Sequence, residues 1–310
     1  MSSAVRLHNQ CMTHAHELEY FVVDVFTQSA LTGNPLAVVL DTIGLSTETK
    51  QAIAREFNLS ETTFIERRSL DVERAEGMRV RIFTTQEELP FAGHPTLGTA
   101  SVLRTIAPEV VRGDALTLAL NVGPIPVRFE DRDGAIFGEM TQRDPEFGAE
   151  MDRAQVSRLC GLSVDDLHPT AAPQVVSTGT AFAIVPLRSA EALARLNVRQ
   201  QEATAWLRSQ EARWFYVLGP TGDAAPEWRA RMQFYGGEDP ATGSAAGCAI
   251  SYLASHDLVE SGRRIHVRQG VEIQRPSDLF LSAKRAGTRV TDVRVGGSTV
   301  LVAKGHLFLP

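Results

Sequence analysis

Met78, Val80 and Ile82 alternate strictly with Arg79 and Arg81, and this period of two predicts a half-buried strand. Comparable signals flank it. Residues 20–26 have the aromatic and β-branched content of a strand, and Thr32-Gly33-Asn34-Pro35 makes a turn into another over 36–40. Helical spacing then runs over Thr47–Phe57, with Ser46 as N-cap, Ile53 and Phe57 on the buried face and Asn58 as the stop. Residues 62–66 read as a short strand, so Glu61 falls at a helix-to-strand junction. Strands are predicted over 116–120, 125–129 and 135–140, the last two joined by Arg132-Asp133-Gly134, whose Asp-Gly pair is a hairpin signal.

Asp144-Pro145 and Phe147-Gly148 read as a crossing into a second half, with strands over 214–218, 231–234, Ile265–Gln269, 279–283 and 299–303. The expected organisation is an N-terminal extension (1–16), an N-terminal lobe (17–140) and a C-terminal lobe (141–310), whose last strand is free to return to the first. Each half carries one turn of small residues opening onto a helix. These are Phe91-Ala92-Gly93-His94-Pro95-Thr96 and Asp239-Pro240-Ala241-Thr242-Gly243-Ser244. A helix start leaves backbone N–H groups free at the positive end of the helix dipole, so two such starts, at Gly93 and Gly243, could grip a carboxylate between them.

Size and charge narrow the partners. A chain of 310 residues suggests two domains of roughly 150 residues each and a cleft between them. The formal charge of −6, with no long basic run, excludes an electrostatic footprint for nucleic acid or an anionic membrane. No stretch approaches the roughly 20 apolar residues of a membrane span, and no signal-peptide core is present, so a cytoplasmic protein acting on small molecules is expected. Cys11, Cys160 and Cys248 are scattered and read as reduced thiols, with packing the expected role of Cys160 and Cys248. His8, His14 and His16 lie in a polar stretch that reads as a frayed tail rather than a metal site.

Several chemistries fail on the residues. Neither small-residue turn is a GxGxxG or a GxxxxGK[ST] loop. Ser244, His94 and Asp239 could form a hydrolase triad, but Ser244 is not in a GxSxG elbow. His94 has no second ligand at metal spacing, so no metal is expected. On local sequence alone, Glu61 could be the charge of a solvated turn and Asp239 a helix N-cap.

Taken together, six ordered segments are more specific than any one of them. Gly33-Asn34-Pro35, Asn58-Leu59-Ser60-Glu61-Thr62-Thr63-Phe64, Arg81-Ile82-Phe83-Thr84, Glu88-Leu89-Pro90-Phe91-Ala92-Gly93-His94-Pro95, the run 238–247, and Gln269-Gly270 with Arg275-Pro276-Ser277 resemble the signature of the PhzF-like phenazine-biosynthesis family. That resemblance implies an α+β fold of two pseudo-symmetric, diaminopimelate-epimerase-like lobes. Each would be a curved, mostly antiparallel sheet around a central helix, with the active site between them. It places Glu61, His94 and Asp239 as catalytic residues, and Ser244, with the helix starts at Gly93 and Gly243, as substrate-binding. Thiol racemases of the wider fold group carry a cysteine at each helix start, but here Ala92 and Thr242 stand there, leaving Glu61 as the base.

The resemblance further implies a cofactor-free, homodimeric isomerase that moves a proton on a small cyclic amino- or hydroxy-carboxylic acid, of the trans-2,3-dihydro-3-hydroxyanthranilate type. An epimerase or dehydratase on another small acid, or an inactive binding protein of the same fold, are the alternatives. An ordinary Glu, near 4.3, is a weak base, so desolvation is expected to raise Glu61 and like-charge repulsion to keep Asp239 protonated. Ser244 would bind a substrate carboxylate, while His94 would either relay a proton or serve as a structural hydrogen-bonding group. Thr85, where the family usually has Pro, and a shortened stretch before Glu238 bear on the shape of the pocket.

Overall fold

The computed structural model describes residues 16–132, 135–234 and 237–309. The N-terminal extension with His8, Cys11 and His14, and the Asp133-Gly134 hairpin turn, lie outside them. The first half comprises β1 (His16–Val25), β2 (Asn34–Val39), α1 (Thr47–Phe57), β3 (Glu61–Glu66), α2 (Leu70–Glu76), β4 (Met78–Phe83), β5 (Glu88–Leu89), α3 (Gly93–Ile106), β6 (Ala115–Leu120), β7 (Gly123–Arg132) and β8 (Ala135–Thr141). The second comprises β9 (Glu146–Glu150), α4 (Arg153–Cys160), β10 (Gln174–Ser177), β11 (Ala181–Pro186), α5 (Gln200–Ser209), β12 (Phe215–Pro220), β13 (Trp228–Arg231), β14 (Gln233–Phe234), β15 (Gly237–Glu238), α6 (Gly243–Ser255), β16 (Ile265–Gln269), β17 (Ser277–Ala286) and β18 (Arg289–Leu309).

This α+β architecture contains one continuous sheet of sixteen strands rather than two separate sheets. The join is β18, 21 residues long where sequence alone suggested five, which pairs with β17 and β8 near its start and with β1 along Thr299–Leu309. Because β1 also continues through β2, β3, β4, β6 and β7 to β8, those strands and β18 close into a ring. Beyond β18 the sheet continues through β17, β16, β13, β12, β11 and β10 to β9.

Each half wraps one helix. α3 packs against β1, β2, β8 and β18, and α6 against β10, β11, β17 and β18. Both are buried on all sides over most of their length, which explains their small residues: a Cβ on Gly98 would come within 2.6 Å of Leu36. A single apolar core cluster includes Leu97 and Ala100 of α3 with Ala249, Ile250 and Leu253 of α6. Each fully buried Leu or Ile contributes about 1.5–3 kcal/mol. The halves also echo each other in connectivity: α3 links the parallel strands β4 and β6, as α6 links β13 and β16.

Three local readings differ from the structure. The crossing between halves is shorter than predicted, because Phe147-Gly148 belong to β9, an exposed edge strand paired with β10. α2, β10 and β11 gave no signal strong enough to be placed, β10 and β11 being short runs of 4 and 6 residues with no turn pair between them. The single strand expected over 231–234 is split between β13 and β14. Among the described residues, no helix is long and apolar enough to cross a membrane.

Candidate active site between the two helix starts

Glu61 is positioned by the end of α1. Asn58 adopts the left-handed conformation (φ 51°, ψ 33°) that stops the helix, and the chain then enters β3 at Glu61. Asn residues tolerate that conformation because a short polar side chain relieves its strain. β3 runs parallel to β2 with Leu36 beside Glu61, which brings the first residue of β2, Asn34, to the same end of the sheet.

The starts of α3 and α6 abut at the same place. A Cβ on Gly93 would stand 2.5 Å from the carbonyl carbon of Gly243 and 2.5 Å from the backbone nitrogen of Ser244, so only glycine allows this approach. Gln142 clamps the junction by donating to the Gly243 carbonyl at 2.9 Å. Two positive helix ends thus meet beside a cavity of about 290 Å³ lined by Glu61, Asp239, Ala92, Thr242 and Ser244, among others. Its remaining wall includes the apolar side chains of Leu89, Phe91, Phe182, Trp214, Met232 and Phe234.

Asn34 ties the polar groups together. Its fully buried amide nitrogen donates to Asp239 Oδ1 at 2.7 Å and to the Ala241 carbonyl at 2.9 Å, and it faces His94 Nδ1 at 3.1 Å. Turning the amide over would set its oxygen against two acceptors, so the nitrogen must face them. An amide nitrogen only donates, so Nδ1 of His94 carries a lone pair and the ring proton sits on Nε2. That Nε2 lies 3.5 Å from Glu61 Oε2, and both atoms are buried with no hydrogen-bond partner among the described residues. Burial pushes His94 down to about 3, which keeps the ring neutral.

Both carboxyl groups are raised by burial. Glu61 is pushed well above the usual carboxylate range by desolvation first and by the charge of Asp239 second, with Arg213 opposing. Asp239 rises only to about 6, because Thr242 Oγ1 (2.6 Å) and Asn34 donate to it. This changes the expected division of labour. The donors around Asp239 favour its ionised form at neutral pH, whereas Glu61 Oε2 has none, so Glu61 is the group that holds a proton more firmly. Asp239 is not the N-cap of α6; Thr242 is.

Gln269 supports this corner from behind. Its side chain donates to the Asp239 carbonyl (2.8 Å) and to Thr242 Oγ1 (3.0 Å), and it accepts from Thr242 N and from Tyr216 Oη. Asn34, Gln142 and Gln269 were not picked out as site residues, since local sequence marks Asn34 only as part of a turn. Arg213 and Glu87, which line the cavity as an ion pair, carried no local signal at all. Cys160 and Cys248 are buried thiols that burial pushes up to about 12 and about 11, as suits packing groups. Among the described residues, no three His, Cys, Asp or Glu side chains are grouped to hold a metal ion.

The model of the PhzC-PhzF family, described as phenazine biosynthesis-like protein, matches residues 23–305. The trans-2,3-dihydro-3-hydroxyanthranilate isomerase of Pseudomonas aeruginosa is 37% identical over 294 residues, covering 94% of this chain and 99% of that protein. Among solved structures, a predicted epimerase from Pseudomonas aeruginosa matches with a TM-score of 0.79 and 34% identity, over 94% of this chain and 99% of the other. A Bacillus anthracis phenazine biosynthesis protein of the PhzF family matches with a TM-score of 0.82 and 25% identity over the same shares. A hydroxyproline epimerase from Agrobacterium vitis shares the fold alone, with a TM-score of 0.64 and 10% identity over 94% of this chain and 91% of the other.

Proposed function

The chain belongs to the phenazine biosynthesis-like PhzC-PhzF family, and on that premise we propose that it is an isomerase that moves a proton between carbons of a small cyclic carboxylic acid. The observation that carries this reading is the buried Glu61 carboxyl, facing the neutral His94 Nε2 at 3.5 Å beside two abutting helix starts.

The substrate carboxylate sits at the N–H groups of α3 and α6 and at the Ser244 hydroxyl, where the helix ends stabilise the negative charge that builds up when a neighbouring carbon loses its proton. Glu61 takes that proton, and its raised proton affinity makes it a stronger base than an exposed Glu. His94 turns its Nε2 proton toward Glu61 across the 3.5 Å gap, where it can hold the carboxylate in line once Glu61 is ionised. Asp239, ionised at neutral pH, keeps the proton affinity of Glu61 high. Glu61 then returns the proton to a different carbon, so the reaction is redox-neutral and consumes no second reactant.

A dihydro-hydroxyanthranilate is the first substrate to test, because a relative of 37% identity carries that name. The protein is incubated with trans-2,3-dihydro-3-hydroxyanthranilic acid in deuterated buffer, and substrate loss and deuterium uptake are followed for wild type and Glu61→Gln. Conversion by wild type that disappears in the variant supports both substrate and base. Conversion that persists in Glu61→Gln removes Glu61 from the mechanism.

A further inference from the structure

We infer that the cavity prefers an acid with a second carboxylate, read by Arg213 at the rim, over a monocarboxylate such as the dihydro-hydroxyanthranilate; this rests on the isomerase reading for what happens at Glu61. The cavity runs from a buried end, with Glu61, Asp239 and Ser244, to a more exposed rim formed by the turn 84–87, Thr180 and Arg213. Among the described lining residues, Arg213 is the one Lys, Arg or His, set against the acids Glu61, Glu87 and Asp239. It is close enough to be felt by Glu61, whose proton affinity it lowers.

The geometry of Arg213 suits a ligand. Its guanidinium lies over the Trp214 ring, 4.6 Å from the centroid, which fixes its plane. One nitrogen, Nη2, donates to Glu87, while Nε and Nη1 have no hydrogen-bond partner among the described residues. A guanidinium presents paired donors that match a carboxylate, and here part of that fork is left open. The pair with Glu87 does not saturate it, since side-chain exposures of 33% and 51% let solvent screen the bond and make it replaceable.

Glu87 itself is held still. Its backbone N–H and carbonyl are bonded to Thr84 in a tight turn, and Gln51 of α1 donates to the Thr84 carbonyl. The first half of the chain thus presents a fixed acid to an arginine of the second half, which parks the arginine at the rim until a better anion arrives. A more open hollow outside the cavity shares Glu87, Thr180, Arg213 and Trp214 with it and adds Arg208 and Glu211; the Arg208 side chain has no ion-pair partner among the described residues. The rim therefore carries two arginines against Glu87 and Glu211, whereas Glu61 and Asp239 at the buried end have no cationic side chain beside them among the described residues, so a second anionic group is better placed at the rim.

The test is calorimetric and needs no turnover. Benzene-1,3-dicarboxylate and its mono-amide, 3-carbamoylbenzoate, are titrated into wild type, Arg213→Met and Glu87→Gln, with glutarate and its mono-amide as a second, flexible pair. Wild type is expected to prefer each diacid over its mono-amide by about tenfold or more, the scale of a charge-assisted hydrogen bond. That ratio should collapse toward one in Arg213→Met, whose straight chain still covers Trp214, and should grow in Glu87→Gln, where the competitor is gone. A purely structural Arg213–Glu87 bridge would leave the ratio unmoved in both. No preference in wild type, a preference that survives Arg213→Met, or no binding of either diacid at millimolar concentration overturns the inference. Loss of deuterium exchange with the diacid preference intact would count against the isomerase reading alone.

Discussion

His94 Nε2 and Glu61 Oε2 face each other at 3.5 Å, each buried and each without a hydrogen-bond partner among the described residues. A buried polar atom left unpaired costs about 1–3 kcal/mol, so two that nearly meet describe a site held short of satisfaction. Such a gap is closed when a ligand enters or a proton moves, and the predictions below follow from it.

Glu61→Gln should abolish turnover, by about 10²-fold or more, while the fold is kept. Single-turnover exchange and circular dichroism separate the two outcomes.

The same substitution should stabilise the protein, and more so at high pH. A carboxyl whose proton affinity is raised by folding favours the folded state below its unfolded pKa and weakens it as pH climbs through the raised value. Glu61→Gln removes that loss, so the thermal midpoint of the variant should exceed that of wild type at pH 8 and converge with it near pH 4.

Activity of the wild type should increase with pH through a midpoint above the ordinary Glu value of about 4.3, because the base must first give up its proton. Asp239→Asn removes a like charge and should move that midpoint down. A midpoint that stays put in the variant would show that the two carboxyls do not influence each other.

Asn34→Leu would leave His94 Nδ1, Asp239 Oδ1 and the Ala241 carbonyl short of a donor, at about 1–3 kcal/mol for each group left unpaired. Urea unfolding should show the loss. The pH profile should shift as well, since Asp239 loses one of the donors that favour its charge.

Gly93→Ala would drive a methyl group into the backbone at Gly243 and Ser244 and part the helix starts. A loss of about 1–3 kcal/mol in denaturant unfolding, with loss of ligand binding, is expected.

Much of this was legible in one dimension. Alternation at Met78, Val80 and Ile82, the Ser46 cap and the Asn58 stop are local events, since a side chain's period and a cap's hydrogen bond involve residues a few places apart. The small-residue turns at Gly93 and Gly243 were equally visible, because a helix that must be buried on every side can carry little else. Glu61, His94, Asp239 and Ser244 were singled out as candidates by the company that their segments keep.

Other features depended on partners far along the chain. Asn34 and Asp239, 205 residues apart, meet only because β2 and the start of α6 are folded against each other, and nothing in Gly33-Asn34-Pro35 encodes that bond. Arg213 and Glu87, 126 residues apart, form the rim for the same reason. The relative proton affinities of Glu61 and Asp239 were likewise set by tertiary structure, since local sequence marks a carboxylate but not which donors will face it. The sequence by itself determined the locally patterned elements and the chemical types at the site; the tertiary structure decided how far β18 runs and which donor meets which acceptor, because strand pairing, desolvation and hydrogen bonding act through space and not along the chain.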